Sequence, residues 1–182
     1  MLLQFSTDQP NYLVTKDLKV NMINGSCPDP LFSGPCLVDD ILQTEIETTF
    51  SQTGVCLEPV SGTTSGYADA VISTGAPCFV TEPMDVNLDL LGVDLPLESF
   101  QQAGRYQGGL ALDQKLQMGF LSEAAAIDFV IPAEVTWLGG STLYDLLAGG
   151  GSCSTDDDRD IGPDGVTSGW WFYFNSESDL VE

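Results

Sequence analysis

Between Met84 and Leu90 the chain alternates without a break: Met84, Val86, Leu88 and Leu90 are apolar, Asp85, Asn87 and Asp89 polar. Successive side chains of a strand point to opposite faces, so this segment predicts a strand with one buried and one wet face. Leu91-Gly92-Val93-Asp94 can turn the chain, and Leu95, Leu97 and the run to Tyr106 can return beside it as a hairpin. Leu110 to Leu121 predicts a further strand, and residues 11 to 23 another, with Leu13, Leu18, Val20 and Met22 partly alternating with polar neighbours. The aromatic run Trp170 to Asn175 reads as the last strand. Short apolar pieces at Gly54 to Val60 and Val71 to Val80 flank SGTTSGYAD, a surface loop by composition. Leu37 to Phe50 is ambiguous: apolar residues at 37, 38, 41, 42, 46 and 50 sit closer to a helical period, while Thr44, Thr48 and Thr49 favour a strand.

Two places break the β pattern. Ser122 precedes Glu123 and three alanines, so serine can cap the free amides of a short helix that Pro132 limits. Ser141 to Leu147, with Ser141 as cap and Gly149 to Gly151 as terminator, predicts a second. Many short strands with only two brief helices argue for a mainly β chain, an antiparallel β-sandwich or jelly roll. With no linker in its 182 residues, the expectation is one domain over 1–182.

Charge narrows the chemistry. The 27 acidic residues face five basic ones, for a net charge of -22, which repels nucleic acid and anionic membrane surfaces and favours cations. No stretch approaches the length of apolar chain that spans a bilayer, so no transmembrane segment is expected. The chain has no histidine, and this removes Ser-His-Asp and Cys-His catalysis and histidine-ligated zinc together. Glu123 with Asp128, or Glu45 with Glu47, could be cast as an acid–base pair for a carboxylate-dependent hydrolase. Among this many acids such pairs arise by chance, and the expectation is no enzyme.

Three features remain. Asp156, Asp157, Asp158, Asp160 and Asp164 crowd one glycine-punctuated loop with only Arg159 among them. Asp156, Asp158 and Asp160 recur at every second position, as hard oxygen ligands do in Asp-x-Asp-x-Asp loops, so Asp156, Asp158, Asp160 and Asp164 are the candidate Ca²⁺ ligands. Beyond the loop, Trp170, Trp171 and Tyr173 could stack on sugar as a carbohydrate-binding module; packing of a five-aromatic strand into the core is the stronger expectation. The five cysteines lack a Cys-x-x-Cys arrangement and read as a disulfide framework. Pairing of nearest neighbours, Cys27 with Cys36 and Cys56 with Cys78, closes short loops, the second worth roughly 3 kcal/mol on loop-entropy grounds. Cys153 is left over. The opening residues MLLQFSTDQPNY carry neither a basic region nor a long apolar run, so the chain reads as a mature product whose export signal, and the partner of Cys153, lie in sequence outside it.

The run GFLSEAAA at 119–126, then VIPAE, LGGSTLYDLL, the acidic loop and GWWFYFN, resembles the C-terminal part of uncharacterised exported bacterial proteins, some of them lipid-anchored. The resemblance covers about residues 84–175. It departs from that pattern at Ile161, where glycine is usual, although Gly162, Asp164 and Gly165 follow. It implies a secreted or cell-surface location and an architecture rather than a reaction. Long loops, the negative surface and the missing histidine add the expectation of a non-catalytic structural or interaction domain. Its partners would be other protein subunits or surface components, or further copies in an assembly.

Overall fold

The computed structural model describes residues 2–5, 18–26, 37–67, 69–90, 93–106, 112–152 and 156–178. Among these residues the chain is mainly β, antiparallel throughout its ladders, with two short helices. Eleven strands run β1 (Leu2–Phe5), β2 (Leu18–Ser26), β3 (Leu37–Ser51), β4 (Val55–Leu57), β5 (Thr74–Gly75), β6 (Cys78–Thr81), β7 (Met84–Leu90), β8 (Val93–Tyr106), β9 (Leu112–Ser122), β10 (Asp160–Ile161) and β11 (Ser168–Ser178), among the described residues. The helices α1 (Glu123–Asp128) and α2 (Leu143–Leu146) lie between β9 and β10.

The main sheet orders its strands β1-β2-β3-β6-β8-β9-β11-β10, and β4 pairs with β5 in a small separate ladder. The predicted hairpin forms: β7 pairs with the first half of β8, from Leu90 opposite Val93 to Met84 opposite Phe100. The second half of β8 pairs instead with β6, Cys78 opposite Arg105 and Val80 opposite Ala103. One strand therefore serves two ladders, and β9 runs along its other edge. The ambiguous segment from Leu37 is strand β3, held by β2 on one edge and at its end by β6. Its threonines prefer the pleated conformation, and two flanking partners satisfy its backbone groups, which outweighs the helical spacing of its apolar residues.

Alternation on β9 and β11 builds a core on each side of the sheet. Trp170 lies opposite Leu121 and Trp171 opposite Phe120. On one face Leu121 and Trp170 join Leu95, Leu97, Phe100, Ala126, Phe129 and Ile131, under the helical excursion. On the other, Phe120, Trp171, Met118 and Tyr173 join Leu57, Ala103 and Leu116.

The first helix is capped as expected, the Ser122 hydroxyl accepting from the Ala125 amide. The second begins later than its sequence suggests. Thr142, not Ser141, is the cap, because Asp145 completes a reciprocal box: its amide donates to the Thr142 hydroxyl and its carboxylate accepts from the Thr142 amide. The disulfide Cys56–Cys78 is formed, with a Cα separation of 6.1 Å. Cys27, Cys36 and Cys153 lie outside the described residues.

Candidate functional site beside the last strand

The Gly-Trp strand can lie against its neighbours only because its second residue is glycine. A Cβ on Gly169 would stand 2.2 Å from the Leu121 carbonyl oxygen and 2.6 Å from the Phe120 ring. A Cβ on Gly162, on the adjoining turn, would meet the same ring at 2.6 Å. These two positions let β10, β11 and the acidic loop close over Phe120.

The three aromatics considered for sugar stacking lie in the core, with Trp170 3%, Trp171 8% and Tyr173 7% exposed. Their polar atoms are engaged as well. The Trp170 indole donates to the Ala148 carbonyl at 2.8 Å, and the Trp171 indole to the Ile161 carbonyl at 3.2 Å. The Tyr173 hydroxyl accepts from the Val60 amide at 3.1 Å and bonds the Thr63 hydroxyl. The loop expected at the surface, 61–69, is thus fastened to β11, and Tyr67 adds a second tie by donating to the Trp171 carbonyl at 2.8 Å. Burial pushes the Tyr67 phenol up to about 12, and burial raises that of Tyr173 too.

The acidic residues do not all meet in one place. Asp156, Asp157 and Asp158 line a cleft of about 430 Å³ with Ser65, Gly66 and Ala148. Asp157 forms a fork with Arg159, whose Nε and Nη2 donate at 2.9 and 2.7 Å. That guanidinium holds the Asp157 carboxyl down at about 2. Arg159 also reaches Glu123 at 3.4 Å, tying the loop to the start of α1. Asp160 opens β10, and its carboxyl is raised first by burial and then by the charges of Asp158 and Asp157. Asp164 belongs to the next turn, where its carboxylate accepts from the Thr167 hydroxyl and from the Val166 and Thr167 amides; these bonds lower its pKa. Of the expected calcium ligands, Asp156 and Asp158 share the cleft, Asp160 feels the charge of Asp158, and Asp164 is committed to its own turn. Among the described residues no three His, Cys, Asp or Glu side chains converge at metal-binding spacing. Glu123 is engaged with Arg159 and Asp128 is exposed, while Glu45 and Glu47 lie on β3 opposite Asn21 and Lys19.

Sequence pattern passes over Trp137, in the excursion between the helices. It is 96% exposed, with φ +76°. Nothing in TWLGG announces this; the only signal is a tryptophan in a stretch otherwise rich in turn residues. Its loop is closely bonded: the Ile131 amide donates to the Ser141 carbonyl, the Gly140 amide to the Ile131 carbonyl, and the Gly139 amide to the Val135 carbonyl, each at 2.9 Å. Gly139 packs so near Ala133 that an added Cβ would stand 2.7 Å from its backbone.

Compared with protein-family models, curated proteins and solved structures, the chain matches none.

Proposed function

We propose that this chain is a non-catalytic structural or interaction domain that works outside the cytoplasm, secreted or at the cell surface, as one component of a larger assembly. The observation that carries the reading is the Cys56–Cys78 bridge, which joins the β4–β5 hairpin to the main sheet through a fully buried Cys78. Disulfides persist in oxidising compartments and are rare where thiols are kept reduced. A net charge of -22 on a chain without histidine adds support, since it suits a solvated scaffold and removes the commonest catalytic base. Calcium enters as a stabiliser of the 156–160 loop. Asp160, raised first by burial and then by the charges of Asp158 and Asp157, stands in a negative field that a divalent cation would neutralise.

The reading is tested on protein freshly isolated from its native source, by alkylating free thiols before and after reduction and measuring intact mass. Cys56 and Cys78 should resist alkylation until reductant is added; two free thiols at these positions would remove the extracytoplasmic reading. Calcium has its own test. Millimolar Ca²⁺ should raise the thermal midpoint of the chain and not that of a variant carrying Asp156→Asn and Asp158→Asn. Equal midpoints with and without the ion, starting from chelator-treated protein, would strike calcium from the account.

A further inference from the structure

The interaction surface of this domain, taking the reading above as its basis, can be placed on the loop between the two helices. Trp137 is 96% exposed at the tip of an excursion whose ends are drawn together by the Val130–Thr142 bridge. Leu138 at the tip, Val130 at the base and Ile127 on the preceding helix are exposed as well. The bonds from Ile131, Gly139 and Gly140 fix the loop, so the indole is presented from a built platform. Its φ of +76° is a conformation that L side chains rarely adopt, and glycine would fit the position without strain. A fold that displays its largest apolar side chain to water from an unfavourable backbone geometry has gained nothing in stability by doing so. Tryptophan is also the side chain most over-represented among residues that dominate binding energy.

Charge selects the occupant. From Lys115 to Arg159 the sequence contains no other Lys or Arg, Lys115 is buried, and Arg159 is engaged by Asp157 and Glu123. The exposed acids of the excursion, Asp128 and Glu134, therefore stand without a neighbouring cation along the chain. Anionic lipid, nucleic acid and a second copy of this chain all carry the wrong sign against a net charge of -22. A basic segment has the right one, and the indole face is the strongest aromatic acceptor for Lys or Arg. We propose that the 127–138 excursion docks a basic, amphipathic segment of a partner protein, with Trp137 as its anchor and Asp128 and Glu134 as its acidic flank.

The test uses the full chain with a lysine–leucine amphipathic peptide as probe, and with its glutamate–leucine counterpart, phosphatidylcholine vesicles and cellohexaose as comparisons. Trp170 and Trp171 are buried, so changes in acrylamide quenching report Trp137. Saturable protection and a blue shift are expected with the lysine peptide alone. Trp137→Ala should weaken its binding by roughly tenfold or more while leaving the net charge unchanged. Trp137→Phe should retain most of the affinity, and Asp128→Asn with Glu134→Gln should weaken it and flatten its salt dependence. Equal binding by wild type and Trp137→Ala would overturn the proposal, and so would a response to vesicles or cellohexaose in place of the peptide. Either result leaves the disulfide test untouched, and free thiols at Cys56 and Cys78 would remove the extracytoplasmic reading without touching the docking loop.

Discussion

At the scale of single residues, polar atoms that look ordinary in sequence decide how the last strand is held. Tyr173 places its hydroxyl where it receives the Val60 amide and meets Thr63, so Tyr173→Phe leaves that amide without its acceptor. A loss of about 1–2 kcal/mol is expected in urea denaturation. Tyr67 gives a pH signature. Its folded-state pKa is raised to about 12 by burial, so its contribution to stability is fully present below pH about 10, the unfolded value, and is lost as pH rises through 12. Absorbance at the phenolate band should accordingly show the Tyr67 phenol ionising only as pH approaches 12, or together with unfolding; its early and complete titration would contradict the buried geometry. Trp137→Gly should leave stability unchanged or raise it by about 1 kcal/mol, because glycine relieves the left-handed backbone while removing a side chain that touches little.

At the scale of elements, close approach is the controlling fact. Gly169→Ala should destabilise by about 3 kcal/mol, because its methyl group would meet the Leu121 carbonyl and the Phe120 ring with no flexible neighbour to move aside. How far the elements could be read from sequence follows from how local their causes are. The β7 hairpin is written in period-two alternation, and the first helix in its serine cap, so both are legible. The second helix shifts its start by one position because Thr142 has Asp145 three residues on and Ser141 has no equivalent partner. The strand from Leu37 was legible only in part, since what settles it is pairing with β2 and β6, distant in sequence. The candidate site is harder to read. Alternation tells which aromatics share a face, but not that both faces of β11 are covered. The run of aspartates likewise hides that Asp157 is spoken for by Arg159 and Asp164 by the amides of its own turn. The φ of Trp137 leaves no trace in composition at all.

For the whole molecule, charge and covalent linkage set the response to solvent. A net charge of -22 repels itself, so added sodium chloride should raise the thermal midpoint until the charges are screened, near a few tenths molar. Acid acts through individual groups in opposite directions. Asp157 is held near 2 by Arg159, so its contribution is present above pH about 4, the unfolded value, and is lost as pH falls through 2. Asp160, raised by burial and by its acidic neighbours, works the other way and favours the fold as it gains its proton. Mild acid should therefore be tolerated, with loss of structure concentrated at the lower end of the range; circular dichroism across a pH series checks this.

The junction between β3 and β6 gives the molecule a mechanical character. Among the described residues, β1 and β2 pair with no strand beyond β3, and β3 meets the rest of the sheet through Thr48–Ser51 laid against Cys78–Thr81. Tension applied to the first strands thus arrives at Ser51 and its register partner Cys78, which is bolted to Cys56. In a single-molecule pulling experiment the Cys56–Cys78 bridge should withhold about 75 Å of contour, the reach of the sequence separation of 22 that it spans, and that length should be recovered when reductant is added.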